Sequence, residues 1–239
     1  MSERFTSMFF TLVLLVNVYF FVKIEPNELK NQMDRLLALF LFQFDYFFLF
    51  VYIFSKLFKN FQKSLILLAI CYGGLFCLGL SSFVIVDEKE FDVVYSYAQP
   101  ILRLLLVGVF FEMGIKKLDL SDIKNILLAT LALAGGLYFL YLLNRHPRTS
   151  MFSFNLYWVG IMIFLFTGIQ LRVRRNNIRV LFLIGLFFTV IADLYYILPP
   201  EERVYELTYM FVRVINTVGE FLIVNHVLRF YAFKSRKHL

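Results

Sequence analysis

Unbroken apolar runs recur along the whole of this 239-residue chain, and they limit its fold more than any other feature. MFFTLVLLVNVYFF (8–21) and GLFFTVIADLYYIL (185–198) are two of them. Hydrophobic residues make up 60% of the sequence and charged residues 17%, against about a quarter charged in an ordinary soluble domain. That much apolar surface needs lipid as its solvent. Only helices or closed barrels satisfy the backbone there, and continuous rather than alternating runs select helices. The sequence therefore predicts an all-α polytopic membrane helix bundle.

About 20 apolar residues cross the hydrocarbon as a helix. On that measure eight spans are expected, at about 8–23, 36–57, 64–86, 94–115, 124–143, 151–171, 178–198 and 204–230. The connections are short, so residues 1–239 are expected to form a single membrane domain. The first run lacks a small-residue cleavage site and is read as a retained helix, not a signal peptide.

The net charge is +7. In a soluble chain that balance suggests nucleic acid; here it reads as basic cytoplasmic loops, and no nucleic-acid partner is expected. With the N-terminus inside, the inner segments hold fifteen Lys and Arg and the outer ones seven. This places both termini in the cytoplasm, and the compact, loop-poor chain suggests a bacterial inner membrane. Membrane lipids are the expected surroundings, with a protein partner or a second copy allowed. Cys71 and Cys77, six apart on one helix, cannot pair with each other.

GLFCLGLSSFVIV (74–86) aligns with GLFFTVIADLYYI (185–197) at an offset of 111 residues. In each case the next span carries an arginine, Arg103 or Arg213, and Ser82 stands where Asp193 stands. An even number of helices per repeat keeps the same orientation, so this reads as two parallel four-helix halves. Chance likeness between apolar helices is the competing account.

Ionisable groups inside a span are costly and mark function by default. The candidates are Asp45, Arg103, Glu112, Asp193, Arg213 and Glu220. Tyr209, Arg213, Asn216 and Glu220 are spaced four, three and four, which puts them on one stripe of the last span. Asp193 and Arg213 are expected at similar depth on adjacent helices and are read as an ion pair, with Thr189 and Tyr196 on the aspartate's face. The pair is either structural or one wall of a polar cavity towards the outer leaflet. Gln99, Arg103, Ser81, Ser82 and Asn155 are expected in the same half. Asp45, near the middle of its expected span, must find a partner on another helix or carry a proton. Glu112 reads as a local pair with Lys116, and His226 as interfacial packing.

One histidine in a span leaves a zinc site unsupported. No lysine lies mid-span for a retinal Schiff base, and no G-x-S-x-G or phosphate loop occurs. No metal and no cofactor are expected. The paired glycines at 73–74 and 135–136 read as close helix packing.

The pattern GLFFTVIADLYYIL, with the closing span VRVINTVGEFLIVNHVLRF (residues 212–230), resembles the YhhN-like family of lysoplasmalogenases. Length and eight spans also fit. The resemblance implies an integral membrane hydrolase that cleaves the vinyl-ether bond of a lysophospholipid without a known metal. Asp193 would be the acid. The family's second Gly-Asp falls on Ser82 here, preceded by Ser81, so Glu220 or Asp45 would have to supply the second carboxylate. Arg213, Arg103, Tyr209, Asn216 and Ser82 would line the substrate site. Protonation at carbon followed by water attack needs at least a general acid. The alternative is a non-catalytic membrane protein: a lipid or small-ligand binder, a transporter, or a subunit of a membrane complex.

Overall fold

The computed structural model describes residues 7–8, 11–15, 43–58, 61–84, 88–114, 151–171, 176–197 and 206–236. Among them the apolar runs close their own backbone hydrogen bonds as helices, and no strand occurs. The helices are α1 (Phe44–Leu57), α2 (Lys63–Val84), α3 (Glu88–Glu112), α4 (Met151–Gln170), α5 (Asn176–Ile197) and α6 (Glu206–Arg236). They match the second, third, fourth, sixth, seventh and eighth expected spans. Residues 11–15 of the first are helical. The fifth, 124–143, lies outside the described residues, as do the glycines at 135–136.

Among the described residues, three stretches are long and apolar enough to cross a membrane: Lys63–Ser81, Val93–Glu112 and Phe211–Ala232. Trp158–Gln170 is a shorter apolar helix. The helix ends run further than hydropathy suggests. The acidic segment 87–92, expected as a loop, is helical from Glu88. At the other extreme α6 continues through Lys234 to Arg236.

Each helix packs on its neighbour in the chain, and α1 packs on α6, so the six form a closed ring. Contacts give the directions. Phe47 meets Phe76 while Phe50 lies over Gly73, so α1 and α2 are antiparallel. Leu102 lies at Gly74 and Leu67 at Gly108, so α2 and α3 are antiparallel too. Phe182 meets His226 and Gly185 meets Gly219 in the same sense for α5 and α6. Between α3 and α4 the order is reversed: Pro100 abuts Gly160 and Arg103 lies over Phe164. Positions advance together, and these two neighbours run parallel.

Two glycine seams set the spacing. At the α5–α6 crossing a Cβ on Gly185 would stand 2.9 Å from the Gly219 carbonyl oxygen, and one on Gly219 would stand 2.8 Å from that of Gly185. Gly160 lets α4 approach Pro100, where a Cβ would lie 2.8 Å from the proline's own. Pro100 lacks an N–H, so α3 misses one ladder bond in the turn that carries Gln99 and Arg103.

The outside of the ring is apolar. Val180, Ile184, Phe187 and Ile191 make an exposed stripe along α5, and Ile101, Leu104 and Phe111 do so on α3. The inside holds Asp45, Gln99, Arg103, Asp193, Asn216 and Glu220, all buried. Apolar surface outward with charge inward is consistent with a membrane protein.

Candidate functional site

The centre is built on Arg103 of α3, whose side chain is fully buried. Its Nε donates to Asp193 Oδ2 at 2.8 Å and its Nη2 to Asp193 Oδ1 at 3.0 Å, a two-pronged grip from α3 to α5. That fork matches the planar guanidinium to the carboxylate. Gln99, one turn earlier, adds a bond from Nε2 to Asp193 Oδ1 at 2.5 Å. The remaining nitrogen, Nη1, stands 2.6 Å from Glu220 Oε1 on α6 as an ion pair, without hydrogen-bond alignment. Glu220 Oε2 accepts a hydrogen bond from the Tyr72 hydroxyl of α2 at 2.6 Å. The ring of Phe164, from α4, covers the guanidinium at 5.6 Å.

A second cluster joins α1 to α6. Arg213 Nη2 donates to Asp45 Oδ1 at 3.0 Å, and the Thr217 hydroxyl donates to Asp45 Oδ2 at 2.9 Å. Asp45 lies in the first turn of α1 and also accepts from the Tyr46 N–H at 2.9 Å. Asn216 donates from Nδ2 to the Tyr46 hydroxyl at 2.9 Å. Tyr46 and Tyr72 stand with ring centroids 6.4 Å apart, so the clusters adjoin. All six described helices contribute a side chain.

Seven of the residues singled out from sequence are therefore together: Asp45, Gln99, Arg103, Asp193, Arg213, Asn216 and Glu220. The pairing differs from expectation. Asp193 is gripped by Arg103 and not by Arg213, which reaches Asp45 instead. The depth was read correctly and the face was not. Gly219 fixes which side of α6 touches α5, and Arg213, six residues away, is turned about 120° from that seam at 100° per residue. It faces α1. Asp45, expected mid-span, begins a helix, where the free N–H groups favour a carboxylate. Of the two residues offered as second carboxylate, Glu220 joins Asp193 on one guanidinium and Asp45 does not.

Other expectations fare differently. The side chains of Ser82, Tyr209, Tyr196 and Asn155 lie outside the described ones, as does Lys116, the expected partner of Glu112. Ser81 bonds back to the Leu78 carbonyl of its own helix at 2.7 Å. Thr189 is buried on the α5 face towards Gly219. His226 packs its ring on Phe182 at 4.5 Å, at the edge of an aromatic row that continues to Phe110 and Phe164. Gly73 and Gly74 do mark close packing, against Phe50 and Leu102.

Sequence reasoning missed Tyr46, Tyr72 and Thr217. Thr217 had a signal, since it lies four after Arg213 on the same face. A tyrosine in a chain with fourteen of them carries none.

Among the described residues, no three His, Cys, Asp or Glu side chains are placed to share a metal ion. The carboxylates converge on guanidinium groups, and each is only 1% exposed. Arg213, at 8%, is the most open charge of the set. The chain matches no protein-family model, no curated protein and no solved structure.

Proposed function

We propose that this chain is a non-catalytic integral membrane protein that binds a small anionic ligand at the centre marked by Arg213 and Arg103. The observation that carries the reading is the contrast in the network. Both Asp193 oxygens already accept internal donors and the residue is sealed, whereas a guanidinium, Arg213, is the charge nearest to access. A general acid must reach its substrate. The planar fork of a guanidinium matches an incoming phosphate or carboxylate, and Asp45, once released, keeps the Thr217 hydroxyl and the Tyr46 N–H as donors. A lysophospholipid headgroup is within this ligand class.

The test is equilibrium binding to the purified protein. A lysophosphatidate should bind, a monoacylglycerol of the same chain length should not, and Arg213→Gln should weaken binding about tenfold or more, the worth of a charge-assisted bond. Equal binding of the neutral lipid would sink the reading.

The eight-span architecture belongs to the same proposal. The parallel run of α3 and α4 supports it, since an eight-span path gives the fourth and sixth spans the same direction. The ring order supports two halves. In ring order α1, α2 and α3 stand opposite α4, α5 and α6, the correspondence that the 111-residue offset gives. The cytoplasmic placement of both termini rests on the charge asymmetry of the loops, and that in a bacterial inner membrane on the compact, loop-poor chain.

A second reading, a lysoplasmalogenase-like hydrolase, is favoured by one feature: Asp193 and Glu220 meet on Arg103, so two carboxylates share a site. Such pairs suit acid–base work because their surroundings can separate their roles. Incubation with lysoplasmalogen should then release aldehyde, and an Asp193→Asn protein should not. No aldehyde above that control leaves the binding reading.

A further inference from the structure

Glu220 is the carboxylate that the network serves least. Arg103 commits Nε and Nη2, aligned, to Asp193. What remains for Glu220 is one nitrogen at 2.6 Å without hydrogen-bond alignment, and on the other oxygen a neutral phenol. The residue is 1% exposed. An ionised carboxylate at this depth needs a cation and a full set of donors; half a guanidinium is less than that. A neutral carboxylic acid fits the same atoms. Its carbonyl oxygen, Oε1, would face Arg103 Nη1. Its hydroxyl, Oε2, would lie 2.6 Å from the Tyr72 oxygen, a contact that serves equally with either oxygen donating. A nearby acceptor also goes unmet: Asn216, one turn away on the same stripe and 1% exposed, has no partner for Oδ1.

We infer that this network is a binding site for one proton, held by Glu220 at neutral pH and shared between Glu220 Oε2 and the Tyr72 hydroxyl. The titratable and charged groups around it are Tyr46 and Asp45 from α1, Cys71 and Tyr72 from α2, Arg103 and Tyr95 from α3, Asp193 from α5, and Arg213 on α6 itself. From α4 the Phe164 ring covers the Arg103 guanidinium, and the buried Thr167 hydroxyl bonds to its own helix. Arg103 belongs both to this site and to the proposed anion centre, but the proton site does not rest on that reading. Protonation and ligand entry would be linked through Asn216 and Tyr46, which lie between the two.

Infrared difference spectroscopy on the purified, full-length protein tests this. The wild type at neutral pH should show the carbonyl stretch of a protonated carboxylic acid, shifted in D2O. Glu220→Gln, which mimics the protonated side chain, should fold and lose that band entirely. Asp45→Asn should retain it, and Tyr72→Phe should shift its frequency, which keeps the inference testable if Glu220→Gln does not fold. No band in the wild type, or a band that survives Glu220→Gln, overturns the inference. So does stabilisation by sodium chloride over choline chloride that disappears in Glu220→Gln, since the site would then hold a metal cation and not a proton. Anion binding is read in a different assay, so failure of one proposal leaves the other standing.

Discussion

Arg103 carries the heaviest load of any single residue. Removing one partner of a buried ion pair costs about 3–5 kcal/mol because the other charge stays behind without compensation. Arg103→Met leaves Asp193 as such a charge and takes from Glu220 its contact with Nη1. We expect a loss at the upper end of that range, read as the unfolding midpoint in detergent, and little rescue by Arg103→Lys, since a single ammonium cannot reproduce the fork. Thr217→Val and Thr167→Val make a sharper pair. The first leaves Asp45 without one of its donors and should cost about 1–3 kcal/mol. The second removes a hydroxyl that bonds only to the carbonyls of Ile163 and Phe164 in its own helix, and should cost under about 1 kcal/mol. Equal losses would mean that the Asp45 cluster is not coupled to stability. At this scale the sequence announced the charges, because a carboxylate or guanidinium in an apolar run is expensive wherever it points. It did not announce the phenols, whose apolar rings are at home in a span and whose hydroxyls matter only when a neighbour is placed to use them.

Helices find their partners through glycine seams as much as through charge. Gly185 and Gly219 bring α5 and α6 together backbone to backbone, and that crossing sets the angle at which Arg213 and Glu220 face inward. Gly185→Ala or Gly219→Ala forces the pair apart and should destabilise by about 1–3 kcal/mol. Gly108→Ala is the control. There an added Cβ meets only Leu67 Cδ1, at 3.5 Å, and the helix gains up to about 1 kcal/mol in propensity. Thermal unfolding of the three variants should separate them in sign; a destabilised Gly108→Ala would show that the seam is no special feature. The glycine pair at 73–74 was legible, since two together in an apolar run signal approach. Single glycines 34 residues apart in the sequence gave no hint that they would meet.

For the whole molecule, the proposed eight-span path makes a topological prediction. In a background lacking Cys71 and Cys77, a cysteine in place of Lys89 should react with a membrane-impermeant maleimide applied to intact cells. One in place of Arg174 should react only after the membrane is opened. The reverse pattern would invert the orientation, and reaction at both from outside would break the span count. Helical class and the inward placement of charge were readable from composition and run length alone. Hydrocarbon permits few backbone solutions, and ionised groups have nowhere else to go. Depth along each helix was also readable, because 1.5 Å per residue is fixed by the backbone. Rotation about each helix was not. An arginine on α6 can serve α1, α3 or α5, and the choice was made by which faces the Gly185–Gly219 seam turned outward and which inward. The sequence determined that Asp193 would need an arginine; only the packed ring decided that it would be Arg103, shared with Glu220.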